Sequence, residues 1–175
     1  MIIPSVSGGD PMREDALQYL LDKTAVSDAV KAYFIALDRF DWDTVASLVA
    51  DEFTLAADAP GAVPHAVPRA EFMRTLKERN GGFTATIHLN PDHLVTVDGD
   101  KAHVTAHMWA AHAVGTAPAD EFWGYGIYEI DLVRSGRGWQ LSRQNIELTG
   151  GGGEGSPADV FARSAERQAS GQGHY

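Results

Sequence analysis

Apolar positions change their period near Gly82: before it they recur every three to four residues, and after it they alternate. From Arg13 to about Lys23, Ala16, Leu17, Leu20 and Leu21 follow helical spacing. Thr24 is placed to cap a second helix over AVSDAVKAYFIALDRF, in which Val26, Val30, Phe34 and Leu37 form one stripe. Asp41 is placed to cap a third, short helix with Val45, Leu48 and Val49 as its apolar face. Phe53–Ala57 reads as a short strand, and DAPGAVPHAVP, with its three prolines, as a loop. Pro68 suits the first turn of a helix running to about Arg79, which Asn80-Gly81-Gly82 ends.

Four β-rich runs follow: Thr84–Val97, Ala102–Val114, Phe122–Val133 and Trp139–Leu148. Asp98-Gly99-Asp100 and Ser135-Gly136-Arg137-Gly138 are hairpin signals, while GTAPADE is a longer connection. Long strands in series predict a strongly twisted, mostly antiparallel sheet, with the preceding helices covering one face; the fold class is α+β. The pattern divides the chain into a loose start (1–12), a single domain (13–149) and a Gly-rich linker with a C-terminal tail or short helix (150–175). In that tail Ala158–Gln168 is helical in pattern, with Val160 and Phe161 as its large apolar residues.

Composition narrows the chemistry. The 175 residues include no cysteine, which excludes disulfides, thiolate zinc sites and a cysteine nucleophile. With 24 acidic residues against 14 Lys+Arg the net charge is -10, opposite to the basic stripe that nucleic-acid binding needs. No apolar run is long enough for a membrane span, and the first residues lack the basic start and long apolar core of a secretory leader. The expected compartment is the cytoplasm, and the expected partner a small molecule rather than nucleic acid or membrane.

Chemistry therefore falls to histidines and carboxylates. Asp38 continues the row Val26, Val30, Phe34 in steps of four and so points toward the core; of the acidic residues it alone falls where solvent is not expected. Periodicity also allows a helix-end Asp turned to solvent or capping the next helix. In FTATIHLNPDHL, His88 shares one strand face with Thr84 and Thr86, opposite Ile87 and Leu89. Taken alone, a strand histidine is most often a surface or structural residue. On the run from Ala102, the even positions Val104, Ala106, Met108 and Ala110 are small or apolar and predict an inward row, which His112 extends. His103 and His107 then face solvent, four residues apart with no acidic residue evidently beside them; no metal site and no cofactor are assigned. Tyr33, five residues before Asp38, lies at the edge of the helix stripe within reach of a pocket. Phe34, Trp42, Met108, Ala110, Trp123 and Tyr125 are expected to line that pocket.

The order of elements resembles the nuclear-transport-factor-2-like fold, a cone with a deep pocket. Three segments resemble its SnoaL-like branch: YFIALDRFDWDTVASLVADEFTL (33–55), TIHLNPDHLVTVDGDKAHVTAH (86–107) and GYGIYEIDLVRSGRGWQLSRQNIEL (124–148). The likeness extends over 13–149. Within the branch it is nearest the scytalone dehydratase, bile-acid 7α-dehydratase and hexachlorocyclohexane dehydrochlorinase group, which uses an Asp–His pair for proton abstraction. The resemblance places that dyad on Asp38 and His88, the bile-acid enzyme's tyrosine on Tyr33, and a second, distal histidine near His112. A further pocket aspartate of the bile-acid enzyme falls on Ala110, so its substrate does not carry over. The implied activity is cofactor-independent elimination of the dehydratase or lyase type on a largely apolar polyketide-, steroid- or terpenoid-like molecule. In it His88 is the base, Asp38 orients it, and Tyr33 or His112 is the acid. A polyketide cyclase or isomerase would use the same pocket, and a non-catalytic binding or assembly domain the same fold. The resemblance also implies a homodimer or homotrimer.

Overall fold

One continuous helix, α1 (Pro11–Asp38), stands where the sequence pattern predicts two. Thr24 does not cap: its hydroxyl donates back to the Leu20 carbonyl at 3.0 Å, a bond made within an unbroken helix. The computed structural model describes residues 11–55 and 63–174, so most of the expected loose start and part of the first expected loop lie outside the described residues. Asp41 caps α2 (Trp42–Ser47), accepting the Thr44 amide at 3.1 Å and the Thr44 hydroxyl at 2.7 Å.

Among the described residues, seven strands form one mixed sheet that does not close. They are β1 (Val49–Leu55), β2 (His65–Pro68), β3 (Ala85–Leu89), β4 (Leu94–Asp98), β5 (Lys101–Ala113), β6 (Glu121–Ser135) and β7 (Gly138–Gly152). The order is β2-β1-β7-β6-β5-β3, with β4 also on β5; β1 and β7 run parallel and every other pair antiparallel. Register irregularities at Tyr125/Gly126 and Asp131/Leu132 mark bulges that bend β6 and β7 around the helices.

Three differences from the sequence pattern have simple causes. β2 lies where prolines predict only loop; it is the edge strand, where a proline without an N–H is tolerated at the end of the ladder. The run Thr84–Val97 is two strands, broken at Asn90–His93, where Pro91 cannot donate and His93 ties the turn to Ser27 of α1 at 2.9 Å. β7 continues through Gly150–Gly152, the start of the expected linker, because those glycines pack under Tyr125 and Trp123; a Cβ at Gly150 would lie 2.6 Å from the Tyr125 hydroxyl.

The α1 row Val26, Val30 and Phe34 is buried against the inward, even positions Val104, Tyr128, Ile130 and Leu132 of the sheet. Each fully buried large side chain stabilises the fold by roughly 1.5–3 kcal/mol. One step of four before Val26 the same row buries Asp22, paired with Arg134 at 2.7 Å. Asp38 is therefore not the single acidic residue on the core side. The Arg134 hydrogen bond is the largest influence on Asp22 and holds its carboxyl down to about 2. Leu17, Leu20 and Leu21, apolar in pattern, are exposed along the first turns of α1.

α3 (Arg69–Asn80) covers the sheet next to β1, burying Phe72 and Met73, and Phe72 stacks on Phe53. α4 (Pro157–Ala169) docks on α3 with Val160 and Ser164 fully buried. Ser164 donates to the Arg79 carbonyl at 3.0 Å and Arg167 to the Gly82 carbonyl at 2.9 Å. Gly82 must lack a Cβ, which would collide with the Ser164 backbone. The last described residue, His174, returns to stack on Phe40 at 3.9 Å and accept Trp42 Nε1 through its carbonyl.

Candidate active site

Asp38 is the final residue of α1, and how the helix stops sets where its carboxylate goes. The Asp41 amide bonds the Ala36 carbonyl at 2.9 Å and the Phe40 amide the Leu37 carbonyl at 3.0 Å, the double bond of a Schellman turn. Phe40 takes the left-handed position (φ 56°) that glycine usually fills. For a side chain this costs about 1–2 kcal/mol, offset by ring contacts to His174 and Trp42. The chain turns away at once, leaving Asp38 facing β3.

There the carboxylate is fully engaged. Oδ1 accepts the Thr86 hydroxyl at 2.9 Å and His88 Nδ1 at 2.6 Å, while Oδ2 accepts the His88 amide at 2.9 Å. Thr86 and His88 meet one carboxylate because residues two apart share a strand face. Burial pushes the Asp38 carboxyl up, but the His88 side-chain bond and charge, its amide and Thr86 outweigh this and hold it below its ordinary value. Asp38 is thus an anion and accepts only, so Nδ1 of His88 carries the proton. In the neutral ring Nε2 is then bare. His88 is nearly buried, its ring stacked on Phe34 at 5.5 Å and edge-on to His112 at 5.1 Å.

His88 opens into an inner chamber of about 280 Å³, walled by Tyr33, Phe34, Phe53, Met108, Ala110 and Tyr128 among others. An outer chamber of about 980 Å³ adjoins it and shares Arg79, Met108, Ala110, His112, Ile146 and Phe161. Ile146 and Leu148 pair with Tyr128 and Gly126 on the inward face yet are 48% and 66% exposed, so the sheet is open at this end. The Gly150–Gly153 run lines the outer chamber with bare backbone.

His112 faces inward as its parity predicts, wrapped by Phe83, Phe122 and Phe161, and its Nδ1 has no hydrogen-bond partner among the described residues. Burial, then the His88 charge, drives its pKa down to about 3, with a smaller push from Arg79. It is neutral at ordinary pH. Tyr33 and Tyr128 are 1% exposed, and desolvation raises both phenols above their ordinary range, so each keeps its proton.

Of the residues expected at the pocket, Phe34, Met108 and Ala110 line the inner chamber, and Trp123 borders only the outer one. Trp42 lies in the core beneath the α1–α2 turn and lines neither. Tyr125 is on the opposite sheet face, because the pairs Met108↔Gly126 and Trp109↔Tyr125 make even positions inward on both strands. The acidic residues thought absent around the outer histidines are present: His103 bonds Asp131 and Glu129, and His107 bonds Asp92. No group of three or more His, Asp or Glu among the described residues is arranged to hold a metal ion. Sequence reasoning passed over Thr86 as a site residue, although its parity with His88 marks it. It also passed over Arg79 and Phe161, whose α3–α4 contact no local pattern signals.

The SnoaL-like domain model matches residues 18–145, most of the chain and the whole of the Asp38–His88 framework. The chain belongs to the SnoaL-like family. Solved structures resemble this SnoaL-like fold closely. The Kfla4162 protein of Kribbella flavida is 25% identical, with a TM-score of 0.71 over 82% of this chain and 98% of that one. A candidate scytalone dehydratase from Novosphingobium aromaticivorans is 22% identical, TM-score 0.66, over 78% and 90%. The hexachlorocyclohexane dehydrochlorinase LinA-type3 of Novosphingobium barchaimii is 15% identical, TM-score 0.62, over 79% and 93%. No curated protein matches the sequence. No helix among the described residues is long and apolar enough to cross a membrane.

Proposed function

We propose that this SnoaL-like protein is a cofactor-independent lyase of the dehydratase type acting on a small, largely apolar molecule. The observation that carries the reading is the 2.6 Å bond from His88 Nδ1 to Asp38 at the inner end of an apolar cavity. It leaves Nε2 as a base aimed at substrate. Nε2 takes a proton from carbon, Asp38 stabilises the imidazolium that forms, and the electron pair becomes a C=C bond as the leaving group departs. The Tyr33 hydroxyl, which keeps its proton, donates a hydrogen bond to the departing oxygen, and the oxygen leaves as water with the proton that His88 Nε2 took from carbon. His112, neutral and beside His88, offers an N–H or a lone pair to substrate rather than a charge. That similar folds include a dehydrochlorinase and a candidate scytalone dehydratase, both named for eliminations, supports the same class of step.

A cyclase or isomerase would begin with the same proton abstraction and differ in where the electrons go. The test is a panel of one- to three-ring β-hydroxy ketones, followed by absorbance of the conjugated enone and by product mass. Loss of 18 mass units with wild type and none with His88→Ala supports a dehydratase; an unchanged mass with a new ring or shifted double bond moves the reading to cyclase or isomerase. Equal turnover by His88→Ala overturns the base assignment, and binding without turnover favours a carrier domain.

The outer sheet face carries Ile87, Leu89, Trp109 and Tyr125 exposed on neighbouring strands. We assign it as the contact of a homodimer or homotrimer, because an apolar patch of this kind is an association surface. Light scattering of wild type and Trp109→Glu tests this: a wild-type oligomer that dissociates in the variant is expected, and a wild-type monomer contradicts it.

A further inference from the structure

Among the described residues lining the two chambers, Arg79 is the one permanent charge, and no described Asp or Glu lines either. This is notable in a chain with 24 acidic residues and a net charge of -10. Six arginines, Arg69, Arg74, Arg134, Arg137, Arg143 and Arg163, find carboxylates; of the remaining four, Arg79 is the one that lines a chamber. Arg79 has no ion pair among the described residues. Its guanidinium instead rests over the Phe161 ring, 4.3 Å from the centroid, and its backbone is anchored by Ser164. A guanidinium resting over an aromatic ring is less hydrated than an ammonium and keeps N–H groups for another partner. The same position borders the inner chamber and the outer one, and it neighbours His112, whose enclosed Nδ1 lacks a partner among the described residues.

We propose that the substrate is an amphipathic acid, its carboxylate held by Arg79 where the chambers meet and its apolar body extending inward past His112 to His88. This deepens the lyase reading above and rests on it for the direction in which the substrate lies. The wall selects for it twice. Aromatic and aliphatic side chains accept the body, and the exposed Arg79, at a wall where no described Asp or Glu lies, draws an incoming anion. A carboxylate also suits the forked guanidinium better than a single point charge would. Neutral molecules of the same shape would leave Arg79 unanswered and gain nothing from it.

The test compares 2-naphthoate with 2-naphthamide, which share a body and differ in charge, by titration calorimetry on the full chain. Wild type should bind the acid at least about tenfold more tightly, the gain of one charge-assisted pair. Arg79→Gln should bind both alike, at the wild-type affinity for the amide, and Arg79→Lys should keep part of the preference. His88→Gln should keep the preference in full, so acid recognition is judged separately from catalysis. Equal affinities in wild type, an acid preference that survives in Arg79→Gln, or no binding of either compound overturns the proposal. The wild-type comparison decides even where the Gln variant melts early.

Discussion

The sheet carries two histidine–aspartate pairs with the same 2.6 Å Nδ1–carboxylate distance, one on each face. On the inner face His88 spends Nδ1 on Asp38, and its ring lines an apolar chamber. On the outer face His103 is bonded through both nitrogens, to Asp131 and Glu129, while Arg143 bridges to Asp131. Its ring is 39% exposed against 9% for His88. A hollow of about 520 Å³ borders His103 as well, but the outer ring has no free nitrogen to offer it, so it can only add to surface charge pairing. A carboxylate–imidazole pair becomes a candidate base when one nitrogen is left over and water is excluded around it.

The largest expected effect breaks the inner pair. His88→Ala should lower turnover by about 10²–10⁴-fold, while His103→Ala should leave it within about twofold; comparable losses in both would erase the distinction. Next is Asp38→Asn, which keeps the shape but no longer holds the Nδ1–H tautomer or the imidazolium. We expect about 10²-fold in kcat with KM little changed, read from initial rates.

Gly82→Ala sharpens the comparison from the cavity side. Its new Cβ meets the Ser164 backbone and pushes α4, with Phe161, off the chamber wall. Overpacking of this kind costs about 1–3 kcal/mol; chemical denaturation should report that loss, and protease should cut α4 first. An unchanged midpoint would mean that α4 is not held as described.

The smaller effects are pH-dependent and opposite in sign on the two faces. His112 is depressed to about 3 when folded, so below its ordinary value the unfolded chain takes up a proton that the folded one refuses. Stability is lost as pH falls through 6.5, by about 2 kcal/mol at pH 5. His112→Phe, which suits the surrounding phenylalanines, should flatten that slope in urea titrations at pH 5 and 7. Burial opposes the charge on His103, but its bonds to Asp131 and Glu129 prevail and raise its pKa. Its contribution is complete below the unfolded value and disappears as pH rises through the folded one. His103→Gln should therefore cost less than about 1 kcal/mol at pH 5.5 and nothing in strongly alkaline solution.

The sequence made the inner pair legible because both halves rest on local periods. A step of four along α1 leads from Val26 to Asp38, and a step of two along β3 joins Thr86 to His88. What escaped depends on partners distant in the chain. Asp22 sits on the same row as Asp38, but its partner Arg134 is 112 residues away, so nothing near it signals a buried ion pair. Tyr125 was legible in principle, since carrying the parity of β5 across the pairing to β6 sends it outward. The docking of α4 follows from Gly82, whose missing side chain accommodates a helix more than 80 residues later. The family model and the similar folds identify the framework, while the claim about the base rests on the hydrogen bonds of one ring.

That ring can be examined directly. A long-range ¹H–¹⁵N correlation spectrum of the histidines, assigned by the loss of one signal in His88→Gln, reads which nitrogen holds the proton in the neutral ring. The account predicts the Nδ1–H form for His88, with a proton shifted far downfield by Asp38 that moves back in Asp38→Asn, and a bare Nε2. An Nε2–H form, or a spectrum indifferent to Asp38→Asn, would contradict it.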